Sequence, residues 1–208
     1  DTFLIGACSQ NYVWYSGKLW RIVSKDNTTG TVKMITDNAV TTITYSTTTS
    51  GIRYSSSFVN QWLTQEFLPT LHDYEDFLVT DSIWNITQIT TTTPSSRPEA
   101  SSTFKSSVGL LNSYEYYITY SKDPSISSAS TGHLFKKSYY WLISPSSGNN
   151  VNYVGINGGI STTSVPVGNG VRPVVNVKST ITIDSGSGVI SDPYILEGDI
   201  QDANGGST

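Results

Sequence analysis

One histidine and three acidic side chains lie close together in the segment LHDYED, residues 71–76, where they could hold a metal ion or supply a general base. His72 is followed by Asp73, Glu75 and Asp76. Imidazole and carboxylate groups are common zinc ligands and common general bases. Their spacing matches no established metal motif, so we interpret the cluster as a solvated turn after a helix. The other histidine, His133, lies in TGHLFKK, which we interpret as a loop.

A catalytic or cofactor-binding motif is not evident elsewhere. Cys8 is the single cysteine, so neither an intrachain disulfide nor a cysteine-built metal site can form. The glycine-containing turns GSGVIS and NGG lack the lysine and the helix start that a phosphate-binding loop requires. Because no motif combines a nucleophile, a base and an orienting group, we predict a protein that is not an enzyme and uses no metal or cofactor.

Surface recognition is the chemistry that the sequence favours. The segment SPSSGNNVNYVGINGGISTTS, residues 144–164, concentrates amides and a tyrosine between two apolar runs. Amides give adaptable hydrogen bonds and tyrosine gives a stiff aromatic face, a mixture typical of binding surfaces. We therefore predict a ligand-binding face made of Asn149, Asn150, Asn152, Tyr153 and Asn157. The alternative is that these residues form the ordinary polar turns of short hairpins.

The run GVRPVVNV, residues 170–177, combines strand-like residues with an arginine and a proline. Proline has no backbone donor, so we expect Pro173 at a strand edge, at a bulge or where a sheet ends. Arg172 carries five donors in a planar fork and can join loop carbonyls or a carboxylate if it points inward. We predict a structural rather than a catalytic arginine. Trp141, in the buried strand YYWLISP, is predicted to be a second structural residue.

The spacing of apolar residues predicts the strands and helices that position these side chains. Residues 11–37 predict a meander of antiparallel strands, and the chain from Tyr139 onward predicts short strands joined by Gly, Asn and Ser turns. Helical spacing predicts one helix from about Ser56 to Phe67 and a second over residues 106–119. This pattern predicts an α+β fold, in which two helices flank small antiparallel sheets.

Composition sets the broad class of the 208-residue chain. We predict a single domain over residues 1–197 and a linker or tail over residues 198–208, which are acidic and rich in glycine. A net charge of −4 with no Lys/Arg cluster beyond Lys136-Lys137 argues against nucleic acid as a partner. No apolar run approaches the about 20 residues that cross a bilayer, so we expect no membrane insertion. The chain begins at Asp1, and we expect it to be a piece of a longer precursor.

A family resemblance is carried by six segments in order. They are NYVWYSGKLWRIV, FVNQWLTQEFL, VGLLNSYEY, YYWLISP, NGVRPVVNVKS and SGSGVISDPYIL. Over roughly residues 2–196 the chain resembles an uncharacterised domain family of surface and secreted proteins of Gram-positive bacteria. That family is related to the C-type-lectin-like fold of formylglycine-generating enzymes and retroelement-diversified binding proteins.

The resemblance implies a C-type-lectin-like fold with loops that carry binding, and it makes Arg172 similar to the structural arginine of the GFR signature in the enzyme branch. Formylglycine generation needs a pair of cysteines, and calcium-dependent sugar binding uses EPN, QPD or WND segments. The chain has only Cys8 and none of those segments.

These observations predict an extracellular or cell-surface binding or adhesion module without enzymatic activity. Its partner would be a protein or a glycan on a host or neighbouring cell surface. Two alternatives stay open: a structural spacer or subunit of a cell-surface stalk or fibre, and a retroelement-diversified receptor-binding protein. Asparagine-rich stretches near residues 144–172 fit adenine-directed mutation, which motivates the second alternative.

Overall fold

The chain is largely β in the computed structural model, which describes residues 1–125 and 128–199. Within these ranges the helical share is about 16%, in three helices and a few short 3₁₀ segments. The predicted α+β class, with two helices flanking small antiparallel sheets in a C-type-lectin-like arrangement, is therefore wrong. The 15 described strands are β1 Thr2–Phe3, β2 Tyr12–Tyr15, β3 Lys18–Lys25, β4 Val32–Thr36, β5 Thr41–Thr44, β6 Ile83–Asn85, β7 Thr103–Lys105, β8 Val108–Gly109, β9 Tyr140–Pro145, β10 Asn150–Val154, β11 Ile160–Ser164, β12 Gly168–Val171, β13 Val174–Val177, β14 Ile183–Ser185 and β15 Tyr194–Leu196.

The largest sheet has eight strands and contains the predicted meander. Strands β2, β3 and β4 pair antiparallel in sequence order, which confirms the prediction for residues 11–37. The order across the sheet is β14-β15-β2-β3-β4-β13-β8, and β1 also pairs with β3. Strand β15 joins β2 in parallel, so a C-terminal strand extends the sheet that the N-terminal strands begin.

A second sheet has five strands in the order β11-β10-β9-β12-β5. The run predicted as one strand, GVRPVVNV, divides between the two sheets: Gly170 and Val171 belong to β12, whereas Val174–Val177 form β13. Pro173 lies at the change of sheet, where its missing donor breaks no ladder. Its carbonyl accepts a hydrogen bond from the backbone N–H of Thr36 at 3.0 Å, next to β4.

The helices agree with the sequence only in part. Helix α1, Phe58–Trp62, starts behind the Ser57 cap and continues as a π-helical turn, Leu63–Phe67, which confirms the first predicted helix. Helix α2, Tyr74–Phe77, is a single turn in the segment predicted as a solvated turn. Helix α3 spans Ser113–Ser121, so the start predicted near residue 106 is wrong.

The late start of α3 follows from its cap. The side chain of Asn112 accepts from the backbone N–H of Glu115, and the side chain of Glu115 accepts from the backbone N–H of Asn112. This capping box satisfies two otherwise unpaired donors and defines the first turn. The preceding residues, Val108 and Gly109, instead pair with β13 as the edge strand β8.

One hydrophobic core joins the two larger sheets, the two-stranded sheet β6-β7 and the helices. Fully buried aromatic side chains from each sheet belong to it, among them Trp20 of β3 and Trp141 of β9. Tyr15 and Phe77 pack at 5.1 Å between ring centroids, which attaches α2 to the first sheet. Of the predicted tail, Gly198 and Asp199 are described, and residues 200–208 lie outside the described residues.

Candidate functional site

The five residues predicted as a ligand face do not form one surface. Asn149 and Asn150 lie at the hairpin that joins β9 to β10, whereas Asn157 lies in the next turn, beyond the other end of β10. Asn152 is fully buried, and its Nδ2 donates to the carbonyl of Ile89 at 2.8 Å. Tyr153 is half-buried. The structure therefore separates Asn157 from Asn149 and Asn150 and buries Asn152 in the interior.

The burial of Asn152 leads to a stability prediction. Changing Asn152 to alanine removes the donor to Ile89, and we expect the free energy of unfolding to fall by about 1–2 kcal/mol because a buried carbonyl loses its partner. The exposed Asn157→Ala change is the matched control, with an expected effect within about 0.5 kcal/mol. Urea unfolding of both variants measures the difference. Equal effects would contradict the structural role of Asn152.

The two residues predicted as structural are both buried. Arg172 donates from Nε to the carbonyl of Thr36 at 2.9 Å and from Nη1 to the carbonyl of Leu134 at 2.8 Å. Its guanidinium carbon lies 4.7 Å from the ring centroid of Tyr140. Trp141 donates from Nε1 to the carbonyl of Ile43 at 2.9 Å.

The two histidines lie apart, in different surroundings. The Nε2 of His72 lies 3.0 Å from a carboxylate oxygen of Asp73, at the start of α2. His133 is buried, and its backbone N–H donates to the carbonyl of Gly6 at 2.9 Å. In the described part of the chain no three His, Cys, Asp or Glu side chains come together as a metal site.

A polar cleft of about 410 Å³ is formed by residues from several separate segments of the chain. It lies beside the end of β3, the following turn and β4 on one side, and the segment before β6 and the start of α3 on the other. We call it the polar cleft. Its lining includes Asp26, Lys33, Asp81, Tyr114, Glu115 and Asn176.

An ion pair lies in the lining of the polar cleft. The ammonium of Lys33 bonds to the carboxylate of Glu115, and both side chains are largely buried. The same ammonium lies 5.2 Å from the ring centroid of Trp84, so a cation–π contact adds to the ion pair. Because the other oxygen of Glu115 caps α3, the pair is fixed to both the sheet and the helix.

The other polar groups of the cleft are also fixed by the fold. One carboxylate oxygen of Asp26 accepts from the backbone N–H groups of Thr28 and Thr29, each at 2.8 Å. These bonds hold the pKa of Asp26 below its usual value. Nδ2 of Asn176 donates to the hydroxyl of Ser82 at 3.1 Å. The cleft therefore presents pre-positioned donors and acceptors.

The wall of the polar cleft is partly apolar. Tyr114 is half-buried, with its ring edge-to-face against Phe3 at 6.2 Å. Ile83 is 65% exposed, and Asp81, which lies nearby in sequence, is also exposed. A cleft with amides, hydroxyls and carboxylates beside a tyrosine suits a ligand with many hydroxyl groups and a small apolar face.

Sequence reasoning did not find the polar cleft. Its residues come from distant segments: Lys33 and Glu115 are 82 positions apart and meet because β4 lies near the start of α3. The local signal that existed was the spacing Asn112-x-x-Glu115, a capping box that locates the start of α3. No local pattern indicates that Lys33 is the partner of Glu115.

Comparison with known proteins identifies the family. A family model described as a domain of unknown function, DUF6273, matches residues 29–179, so the chain belongs to that family. No curated protein and no solved structure matches the chain. Nothing in these comparisons links it to C-type-lectin-like proteins or to formylglycine-generating enzymes. Within the ranges that the structure covers, no helix has the length and apolar character needed to cross a membrane.

Proposed function

We propose that this domain is a non-enzymatic binding module that works outside the cell and takes a hydroxyl-rich ligand, such as a short glycan of a host or neighbouring cell surface, in the polar cleft. The observation that carries the proposal is the cleft itself, a concavity with fixed polar groups and a tyrosine wall. A composition rich in Ser, Thr, Asn and Tyr and low in charge supports an extracellular location.

The bonding of the cleft carboxylates supports binding rather than catalysis. Glu115 pairs with Lys33 and caps α3, Asp26 organises a turn, and Asp1 pairs with Arg97 at 2.6 Å. A general acid at neutral pH needs a raised carboxyl pKa, and the pKa of Asp26 is lowered. These three carboxylates hold the cleft in shape, which is what a binding site requires.

A hydroxyl-rich ligand fits the available groups better than an apolar one. Sugar hydroxyls both donate and accept, so they can pair with the carboxylate of Asp81, the amide of Asn176 and the hydroxyl of Tyr114. Carboxylate acceptors form the stronger bonds in such sites because one partner is charged. The tyrosine ring and Ile83 can cover the apolar face of a sugar ring.

Two substitutions test the polar cleft without disturbing the core. Asp81→Ala removes an exposed carboxylate, and Tyr114→Phe keeps the packing against Phe3 but removes the hydroxyl. For a glycan selected by array screening of the whole chain, we expect each change to weaken affinity by about tenfold, the equivalent of one good polar contact. Isothermal titration calorimetry measures the dissociation constants.

The control variants lie in the face that the sequence predicted. Asn149→Ala and Asn157→Ala change exposed amides outside the cleft, and we expect both to bind the selected glycan as the unmodified chain does. If these variants lost glycan binding and the cleft variants kept it, the ligand site would lie in residues 144–164 and not in the polar cleft. Absence of binding to any glycan on the array would contradict the proposal and favour a structural spacer.

A further inference from the structure

A second cavity of about 490 Å³ lies on residues that the polar cleft does not use. It opens between the N-terminal segment around Cys8, the loop that contains His133 and Lys136, and the segment around Ile190. Tyr12 and Arg21, from neighbouring strands of the first sheet, also line it. We call it the cationic pocket, because its charged lining residues are basic.

Arg21 is held rigidly in the cationic pocket. Its Nε donates to the side chain of Asn11 at 2.8 Å, its Nη1 to the hydroxyl of Tyr12 at 2.7 Å and its Nη2 to the carbonyl of Cys8 at 2.7 Å. The Tyr12 ring centroid lies 3.9 Å from the guanidinium carbon. These bonds use three of the five N–H groups of a guanidinium, so two can still donate.

Positive charge exceeds negative charge behind the pocket. Lys136 pairs with Asp37 at 2.5 Å, and Arg21 lies 3.7 Å from the same carboxylate oxygen. Burial lowers the pKa of Lys136, Asp37 opposes this shift, and the charges of Arg172 and Arg21 lower that pKa further. Arg172 adds a third cation nearby, because it donates to the carbonyl of Thr36, which precedes Asp37, and to the carbonyl of Leu134, two residues before Lys136. Among the residues with described positions, Asp37 is the one carboxylate with which these cations pair.

His133 does not change this balance at neutral pH. Burial, followed by the charge of Arg21, lowers the pKa of His133 to about 4, so its ring is neutral there. The cluster thus holds three cations and one carboxylate, and the side chains of Arg21 and Asp37 are each only 6% exposed. Asp37 neutralises one of the three cations Arg21, Lys136 and Arg172. Buried charge without a counter-ion is unfavourable, so two positive charges remain to be neutralised.

We propose that the cationic pocket binds a phosphate group carrying two negative charges. Unused N–H groups of Arg21 and Lys136 can donate to its oxygens. The Tyr12 hydroxyl accepts from Arg21 and keeps its own proton to donate as well. A dianion matches the excess of two cations, whereas a monocarboxylate neutralises one of them.

The test uses the whole chain and inorganic phosphate at low ionic strength, with calorimetry and thermal unfolding as measurements. Chloride matched for ionic strength controls for screening, and acetate tests a monoanion. We expect phosphate to bind and raise the melting temperature, and acetate to bind at least about tenfold more weakly, because it neutralises one charge of two. Absence of phosphate binding, or equal affinity for acetate, would overturn the proposal.

Matched variants locate the site. Lys136→Gln and Lys137→Gln each remove one positive charge at neighbouring positions, but Lys137 is exposed and outside the pocket. We expect phosphate affinity to fall by about tenfold or more in Lys136→Gln and by less than about twofold in Lys137→Gln. Tyr12→Phe keeps the ring over Arg21 and removes the hydroxyl, so it reports on the pocket if Lys136→Gln does not fold. Equal losses in the two lysine variants, or full affinity in both Lys136→Gln and Tyr12→Phe, would contradict the site.

Discussion

Replacing Arg172 with lysine is expected to lower the free energy of unfolding by about 2–4 kcal/mol, although the substitution keeps the charge. The arginine bonds the carbonyls of Thr36 and Leu134 from two nitrogens of one planar group. Lysine carries its donors on one nitrogen and cannot reproduce this planar fork, so one buried carbonyl loses a charged partner. For a chain of this size the melting temperature should fall by about 4 °C or more.

Thermal and urea unfolding test this prediction, with Arg53→Lys as the control. Arg53 is exposed, so the same chemical change there should alter stability by less than about 0.5 kcal/mol. Phosphate binding of the Arg172→Lys variant is measured alongside. If that variant kept its melting temperature and lost phosphate binding, Arg172 would be a ligand residue of the cationic pocket and not a structural one.

The segment around Arg172 shows which structural features could be predicted from the sequence and which could not. The missing donor of Pro173 correctly indicated that a ladder ends there. It did not indicate that a new ladder begins at once in the other sheet, because two of the pairing partners, β5 and β4, lie more than a hundred residues earlier. A single apolar run can therefore cross between sheets without any local sign except an interrupting Arg-Pro pair.

The second predicted helix failed for a related reason. Residues 108–118 carry apolar side chains at helical steps, yet Val108 and Gly109 extend the first sheet next to β13. The capping box at Asn112 is a stronger local signal than the apolar spacing, because it pairs backbone donors that a helix start leaves unsatisfied. The loss of helical residues at this point, together with strands such as β15 that the sequence did not indicate, explains why α+β was predicted for a largely β chain.

The residues of the predicted ligand face are separated in the structure, because alternation along a strand was not applied to them. Tyr153 and Asn152 are neighbours on β10, so their side chains point to opposite faces of the sheet, and Asn152 points into the interior. The polar cleft, by contrast, could not be predicted at all. It depends on pairings such as Lys33 with Glu115, which exist only after β4 and the start of α3 have come together in the folded chain.

Changing Gly109 to alanine is expected to lower the free energy of unfolding by about 2–3 kcal/mol. An added Cβ would lie 2.5–2.7 Å from three atoms of the Trp84 ring system. Trp84 is buried, donates from Nε1 to the carbonyl of Ser106 at 2.9 Å and supports the ammonium of Lys33, so it cannot move without losing these contacts. Overpacking of this kind outweighs the gain of less than about 1 kcal/mol from restricting the unfolded chain.

A double-mutant cycle with Trp84→Phe separates the steric effect from other causes. The smaller ring makes room for the new methyl group, so the cost of Gly109→Ala in that background should fall below about 1 kcal/mol. Gly159→Ala is the control, because no atom lies within 4 Å of its added Cβ. An equal cost of Gly109→Ala in both backgrounds would show that Trp84 is not the obstacle. A smaller loss of stability in the Trp84→Phe background would establish that β8 needs glycine for the close approach of Trp84. The ring of Trp84 in turn contacts the ammonium of Lys33 in the ion pair of the polar cleft.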